Sequence, residues 1–348
     1  MQQNNLPEYW RTELDDIDAT LANIKKGVAK EVCKSPGGRA VHKVFYGKKN
    51  NLGRTANLSS ALGAKDINCY GDKTQEDYRP TLFLVGCVHG GEFEGTAALL
   101  NLINIIEKGV DFAGKPNSFF EKIINSVNFI IIPCANPDGR ARVPFESMVG
   151  KSYEQLRYYN QGTWRDGTLC GWPGCKKVHP MKRESVGFLG GYFNDDGINL
   201  MHDDFFLKSA NETETLLKTA DRYAPDFTIL LHGGANSVNH ILKPAYAPEH
   251  IKERILLLEQ KLEKRCNAAG AFFKVSPLDR YENRIPPASF NLTSALYHIS
   301  GMPSITYETN QGLSYGELRL SHEDIYRQHM FLFEETCKLI MGGDKFEY

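Results

Sequence analysis

Val85-Gly86-Cys87-Val88-His89-Gly90-Gly91-Glu92-Phe93 is the stretch on which the reading of this chain turns. The apolar run before it, Leu82 to Val88, has the continuity of a strand buried on both faces, and it stops at a His and a Glu three residues apart among glycines. Imidazole nitrogen and carboxylate oxygen both bind zinc, and one tight turn would hold both. Open α/β sheets build their sites where strand ends meet helix starts. Alone, His-x-x-Glu arises often by chance, so the reading depends on whether other strands end in the same way.

They do. A second buried run, Val127 to Pro133, leads to the turn Asn136-Pro137-Asp138-Gly139. A third, Asp226 to Leu231, stops at His232-Gly233-Gly234, and a fourth, Ser304 to Tyr307, stops at Glu308. Strand carboxyl ends of a parallel-rich sheet gather on one edge, so residues far apart in sequence can converge there. His89, Glu92 and His232 make a three-ligand zinc set that leaves a fourth position for water, as hydrolytic sites do. Glu308 is placed to take a proton from that water and return it to a leaving amine. A His before two glycines can merely close a strand, and a Glu after one can face solvent. Repetition of one placement at three strand ends argues against both.

The remaining pattern is that of an α/β protein with a mixed, largely parallel central sheet flanked by helices on both faces. Helical spacing covers about 8–26, with Leu14, Ile17, Leu21 and Ile24 on one face, and Arg39 to Tyr46 alternates as a half-buried strand. Helices are expected over 93–107, 211–223, 248–269 and 321–341. About 140–198 is rich in Gly, aromatic and polar residues without periodicity, and so long a loop region inside one domain is expected to build a site. No repeat, low-complexity segment or linker divides the 348 residues, which read as one domain.

A formal net charge of −1, with both signs mixed along the chain, gives no electrostatic case for nucleic acid or an anionic membrane as partner. The start, Met1 to Glu8, has neither the basic residues nor the apolar core of a secretory signal, and no stretch is long and apolar enough for a membrane span. A cytoplasmic protein is expected. The eight cysteines are scattered; Cys170 and Cys175 are near enough to meet across a turn, but a permanent bridge is not expected in a reducing compartment.

In the order and identity of these motifs the chain resembles the M14 zinc metallocarboxypeptidases and their amidase relatives, from about Arg39 to the final helix. The matching elements are His89-Gly-Gly-Glu92, Asn136-Pro-Asp-Gly139, Trp164-Arg165, Leu231-His232 and Pro303-Ser-Ile-Thr-Tyr-Glu308. The resemblance implies one catalytic domain of that fold over 1–348, one zinc ion held by His89, Glu92 and His232, and Glu308 as general base and acid. It implies Arg165 as the guanidinium that polarises the scissile carbonyl, with Arg140, Arg142 and Arg157 as rivals.

Two departures bear on the substrate. Where the family carries Gly-x-Asp-Leu-Asn-Arg to grip a terminal carboxylate, this chain has Gly197-Ile-Asn199-Leu-Met201-His202. Met201 donates no hydrogen bond, His202 lacks the bidentate fork, and Asn199 replaces an Asp that orients a zinc-bound His. The family's mobile Tyr has no clean counterpart; Tyr281, in a polar loop, is better placed for it than Tyr297. The expected activity is zinc-dependent hydrolysis of a peptide or peptide-like amide, a carboxypeptidase first. The alternatives are a cytoplasmic amidase of cell-wall-derived peptides, a deacylase of N-acyl amino acids, and a catalytically silent zinc-binding or regulatory protein. Substrate contacts are expected from His202, Arg140 and Tyr281.

Overall fold

A computed structural model describes residues 6–276 and 288–342. Eight strands form one sheet: β1 (Val28–Lys34), β2 (Ala40–Tyr46), β3 (Thr81–Val85), β4 (Asn128–Ile132), β5 (Phe227–Gly233), β6 (Asn239–Leu242), β7 (Phe273–Lys274) and β8 (Ser304–Thr309). Their order across the sheet is β1-β2-β4-β3-β5-β8-β6-β7. The central β4, β3, β5 and β8 run parallel, whereas β2 joins β4, and β6 joins β8, antiparallel. This is the mixed, largely parallel sheet that the sequence implies.

Alternation along the strands divides the core in two. Leu82 and Leu84 of β3 pack with Leu99, Leu102, Ile106, Leu258 and Phe333, from the helices Glu94–Lys108, Glu249–Ala268 and His322–Met341. Phe83 and Val85 face the other way, against Leu216 and Ala220 of helix Asn211–Tyr223 and Leu292 and Leu296 of helix Leu292–Ser300. Helices therefore cover both faces. Because every residue of β3 and β4 is buried, these strands read as unbroken apolar runs.

The first helix is shorter than the expected 8–26. It covers Leu14–Leu21, because the Asp16 carboxylate accepts from the backbone N–H groups of Thr12 and Glu13 and fixes the start. The chain beyond it leaves the helix to pair with β2 as β1, an edge strand whose Val-Ala-Lys-Glu-Val-Cys-Lys has too little apolar character to announce itself. Over 140–198 the chain forms short helical turns, bends and isolated bridges, as a site-building region should. Among the described residues no helix is long and apolar enough to cross a membrane. All eight cysteines carry free thiols, Cys170 and Cys175 included.

Candidate metal centre and catalytic cleft

The turn after β3 is held by backbone proximity that only glycine permits. Gly90 N–H donates to the Gly191 carbonyl at 2.7 Å, and a Cβ on Gly90 would fall 1.9 Å from the carbonyl carbon of Gly139. The neighbouring Asn136 caps its own turn, its Oδ1 accepting from Gly139 N–H at 2.8 Å. The β3 and β4 turns thus nest together, and His89 and Glu92 project from the nested pair.

Glu92 Oε2 lies 3.0 Å from His89 Nδ1 and 2.8 Å from His232 Nδ1. Asn160 donates from Nδ2 to Glu92 Oε1 at 3.2 Å, while its Oδ1 accepts from Gly91 N–H at 3.1 Å. His89 Nε2 is 3.1 Å from Asn199 Oδ1, which fixes the ring proton on Nε2 and leaves the Nδ1 lone pair facing a carboxylate oxygen. Two acceptors opposed in a buried site call for a cation between them. Tyr192 stacks on the His89 ring, centroids 3.9 Å apart, and restrains its orientation.

The ligand atoms of His89, Glu92 and His232 all lie within 4.8 Å of one another, and all three residues are buried. Nitrogen, nitrogen and carboxylate oxygen are donors zinc prefers, and three of them leave an open position. Burial works against the Glu92 anion, yet the two imidazoles beside it overcome that and hold its pKa below the ordinary carboxylate range. His89 is pushed down by burial. His232 rises despite burial, because of its hydrogen bond and charge interaction with Glu92.

Glu308 stands directly across the parallel ladder from His232 and lines the same cavity of about 690 Å³. Burial pushes its carboxyl up to about 7, His232 opposes that shift, and the Glu92 charge adds to it. A carboxyl poised there can accept and release a proton near neutrality. His202 also lines the cavity, its Nδ1 3.3 Å from Ser289 Oγ; burial pushes it down to about 3. Met201 lines the cavity beside it. These residues come together as the strand-end reading requires.

The arginines do not. Arg165 is exposed, with its Nη1 3.4 Å from the Glu184 carbonyl, and it does not line the cavity. The bridge Trp164–Val186 packs the half-buried Trp inward against Cys170, Met181 and Tyr192, so its neighbour turns out to solvent. Arg140 is a core residue, 1% exposed. Its guanidinium is occupied by the carbonyls of Thr12, Val143 and Phe145 and by Glu13, with the Phe93 ring beneath it. Four of its five N–H donors are engaged there, away from the cleft. Arg142 and Arg157 are also absent from the lining. The expectations for Arg165 and Arg140 are corrected accordingly, and Tyr281 lies outside the described residues.

Several lining residues escaped the sequence: Asn160, Gln161, Lys176, Tyr192, His240 and Gln311. His240 is paired with Glu308 from the other side of β8, but its short strand carries no apolar run that could have revealed it. Asn160 and Tyr192 sit in the aperiodic region, where local sequence says nothing of position.

A profile described as zinc carboxypeptidase, Peptidase M14, matches residues 18–316. No protein with curated annotation is matched by the sequence. Among solved structures, bovine thrombin-activatable fibrinolysis inhibitor in complex with a tick carboxypeptidase inhibitor aligns with a TM-score of 0.58 at 12% identity, over 97% of this chain and 99% of that one. A putative carboxypeptidase of Burkholderia mallei gives 0.58 at 12% over 94% and 67%. Carboxypeptidase A of Helicoverpa armigera gives 0.52 at 13% over 99% and 78%. At such identity these likenesses show the fold alone.

Proposed function

Since the chain belongs to the zinc carboxypeptidase family and is a zinc peptidase, we propose that it hydrolyses peptide or peptide-like amides with Glu308 as general base and acid. The observation that carries this is the pairing of Glu308 with His232 across β8 and β5, which sets a half-buried carboxyl of pKa about 7 beside the His89–Glu92–His232 cluster. A zinc ion held there by the three side chains would lower the pKa of a water and polarise the scissile carbonyl. Glu308 accepts the proton that this water gives up and passes it to the leaving nitrogen. Asn199 keeps the His89 proton on Nε2, so Nδ1 stays available to the metal, and Asn160 orients the Glu92 carboxylate. Tyr192 and Met201 help to keep bulk water from the cluster. We place the enzyme in the cytoplasm, where its free thiols suit a reducing compartment.

The test is hydrolysis of a broad panel of peptides and acylated amino acids before chelation, after it, and after zinc is restored. Activity should vanish and return with the metal. Glu308→Gln should keep full zinc content yet lose about 10²- to 10⁴-fold in kcat. If parent and variant both bind zinc and neither hydrolyses any member, the enzymatic reading is wrong and the silent binding protein takes its place.

A further inference from the structure

With Arg165 in solvent and Arg140 in the core, no described residue brings the guanidinium that the motifs implied to the cleft. Among the described residues, the basic side chains along its wall are Lys176, Lys243, His202 and His240, apart from the two imidazoles of the metal cluster. Lys243 is committed: its Nζ donates to Glu259 Oε2 at 2.6 Å and to the Ser276 carbonyl at 3.1 Å, and its side chain is 2% exposed. His202, with a pKa of about 3, is uncharged at neutral pH. His240 is tethered by Nδ1 to the Val238 carbonyl at 2.9 Å, which makes that nitrogen the proton carrier and leaves Nε2 as an acceptor when the ring is neutral.

Lys176 differs from all of these. It sits on the short helical turn Gly174–Lys176 in the loop region, its ammonium 5.2 Å from the ring centroid of exposed Trp172. Desolvation lowers its pKa, and the carboxylates that act against this, Glu308 and Glu92, both belong to the site. Its charge is felt by His202, Glu308 and His232 alike, so the ammonium is close to the cleft and not a solvated ornament of the surface. After burial, Lys176 is the largest influence on His202.

We propose that Lys176 is a substrate-binding cation of this enzyme, holding a free carboxylate of the substrate beside the His202 imidazole and the Ser289 hydroxyl. The inference rests on the hydrolase reading above and narrows it to amides with a carboxylate near the scissile bond. Lysine suits the task because its three donors rotate freely about one point charge, so no fork geometry has to be supplied by neighbours. Neutral His202 and Ser289 Oγ, 3.3 Å apart, add hydrogen-bonding groups without a second charge. The cation thus comes from the short turn Gly174–Lys176 in the loop region, ahead of the Gly197–His202 stretch and outside any of the quoted motifs.

The test pairs N-acylated dipeptides with their C-terminal amides on zinc-loaded protein. The parent should favour the free acids, and Lys176→Met should raise KM for these about 10- to 100-fold, the range of a charge-assisted contact, with kcat changed less than about threefold. Lys176→Arg should restore most of the preference, and the weak cleavage of amides should be unmoved. Calorimetric binding of the same pairs to Glu308→Gln protein, with and without Lys176→Met, reads the carboxylate contact without turnover. Equal loss on acids and amides, a fall confined to kcat, or equal binding of acid and amide by the protein that keeps Lys176 would overturn the assignment. Absence of all hydrolysis with the binding preference intact would instead defeat the hydrolase reading and leave Lys176 standing.

Discussion

The strand ends and the 140–198 loop region both contribute to the wall of one cleft, and they do so by different rules. At the ends of β3, β4 and β5 the polar side chains are buried and hydrogen-bonded, whereas Glu308 at the end of β8 is half-buried. Glu92 meets two imidazoles, the Asn160 amide and the Gly233 N–H. Gln311 bridges the Gly91 carbonyl, the Glu94 carboxyl and Ala235 N–H. In the loop region Asn160 and Asn194 are buried and held by several hydrogen bonds, whereas Lys176 and Arg165 are exposed. Groups set by the sheet have positions that follow from sequence order. Groups on the loops take positions that depend on how the loops fold over the sheet.

Substitutions should expose this contrast. The largest effect on stability is expected at Arg140, where truncation leaves three carbonyls without their buried donor and the half-exposed Glu13 without its partner. Arg140→Met should cost about 3–5 kcal/mol in chemical denaturation, with KM of the remaining folded enzyme unchanged. A raised KM at unaltered stability would return Arg140 to the substrate.

Glu94, behind the metal turn, comes next. Burial pushes its carboxyl up to about 8, with Gln311 as its hydrogen-bonding neighbour. Below the ordinary carboxylate range it is protonated in both folded and unfolded chains. As pH rises from there through about 8 the unfolded chain releases a proton that the folded one keeps, so stability should fall over that window and then level off. Melting temperature of metal-free protein against pH reads this directly. Glu94→Gln should flatten the fall, and an equally steep curve in the variant would place the cause elsewhere.

Asn199 joins the two regions, since it lies at the end of the loop and orients a ligand of the strand end. Asn199→Ala should weaken zinc affinity about 10- to 100-fold, while Asn199→Asp should strengthen it, because an anionic acceptor makes the imidazole a better donor to metal. Competition against a zinc-binding dye gives both constants. The smallest effect should come from Arg165→Ala, less than about 0.5 kcal/mol in stability and less than twofold in kcat. A hundredfold loss there would mean that the loop closes over the cleft in the working enzyme.

Legibility in the sequence followed the same division. The central strands and the helices over 94–108, 211–223, 249–268 and 322–341 were readable because burial on both faces, or on one helical stripe, leaves a period in the residue pattern. His89, Glu92, His232 and Glu308 could be placed together because each ends an apolar run, and parallel strands bring such ends to one edge. The edge strand β1 was not readable, being mostly solvent-facing, and β6 was too short. Arg165 misled for a physical reason: a Trp-Arg pair has one packing and one solvated member, and adjacency does not tell which of them faces the substrate. Lys176 left no trace because nothing in Cys-Gly-Trp-Pro-Gly-Cys-Lys foretells which way the turn points.

The central claim is that one divalent ion is bound by His89 Nδ1, Glu92 and His232 Nδ1. A crystal of the protein loaded with one equivalent of zinc, with anomalous data at the zinc edge, tests it most directly. A single peak should lie about 2.0–2.2 Å from those three side chains, with Glu308 within reach of a water on the open position. An ion bound elsewhere, or the three side chains turned away from it, would contradict the account.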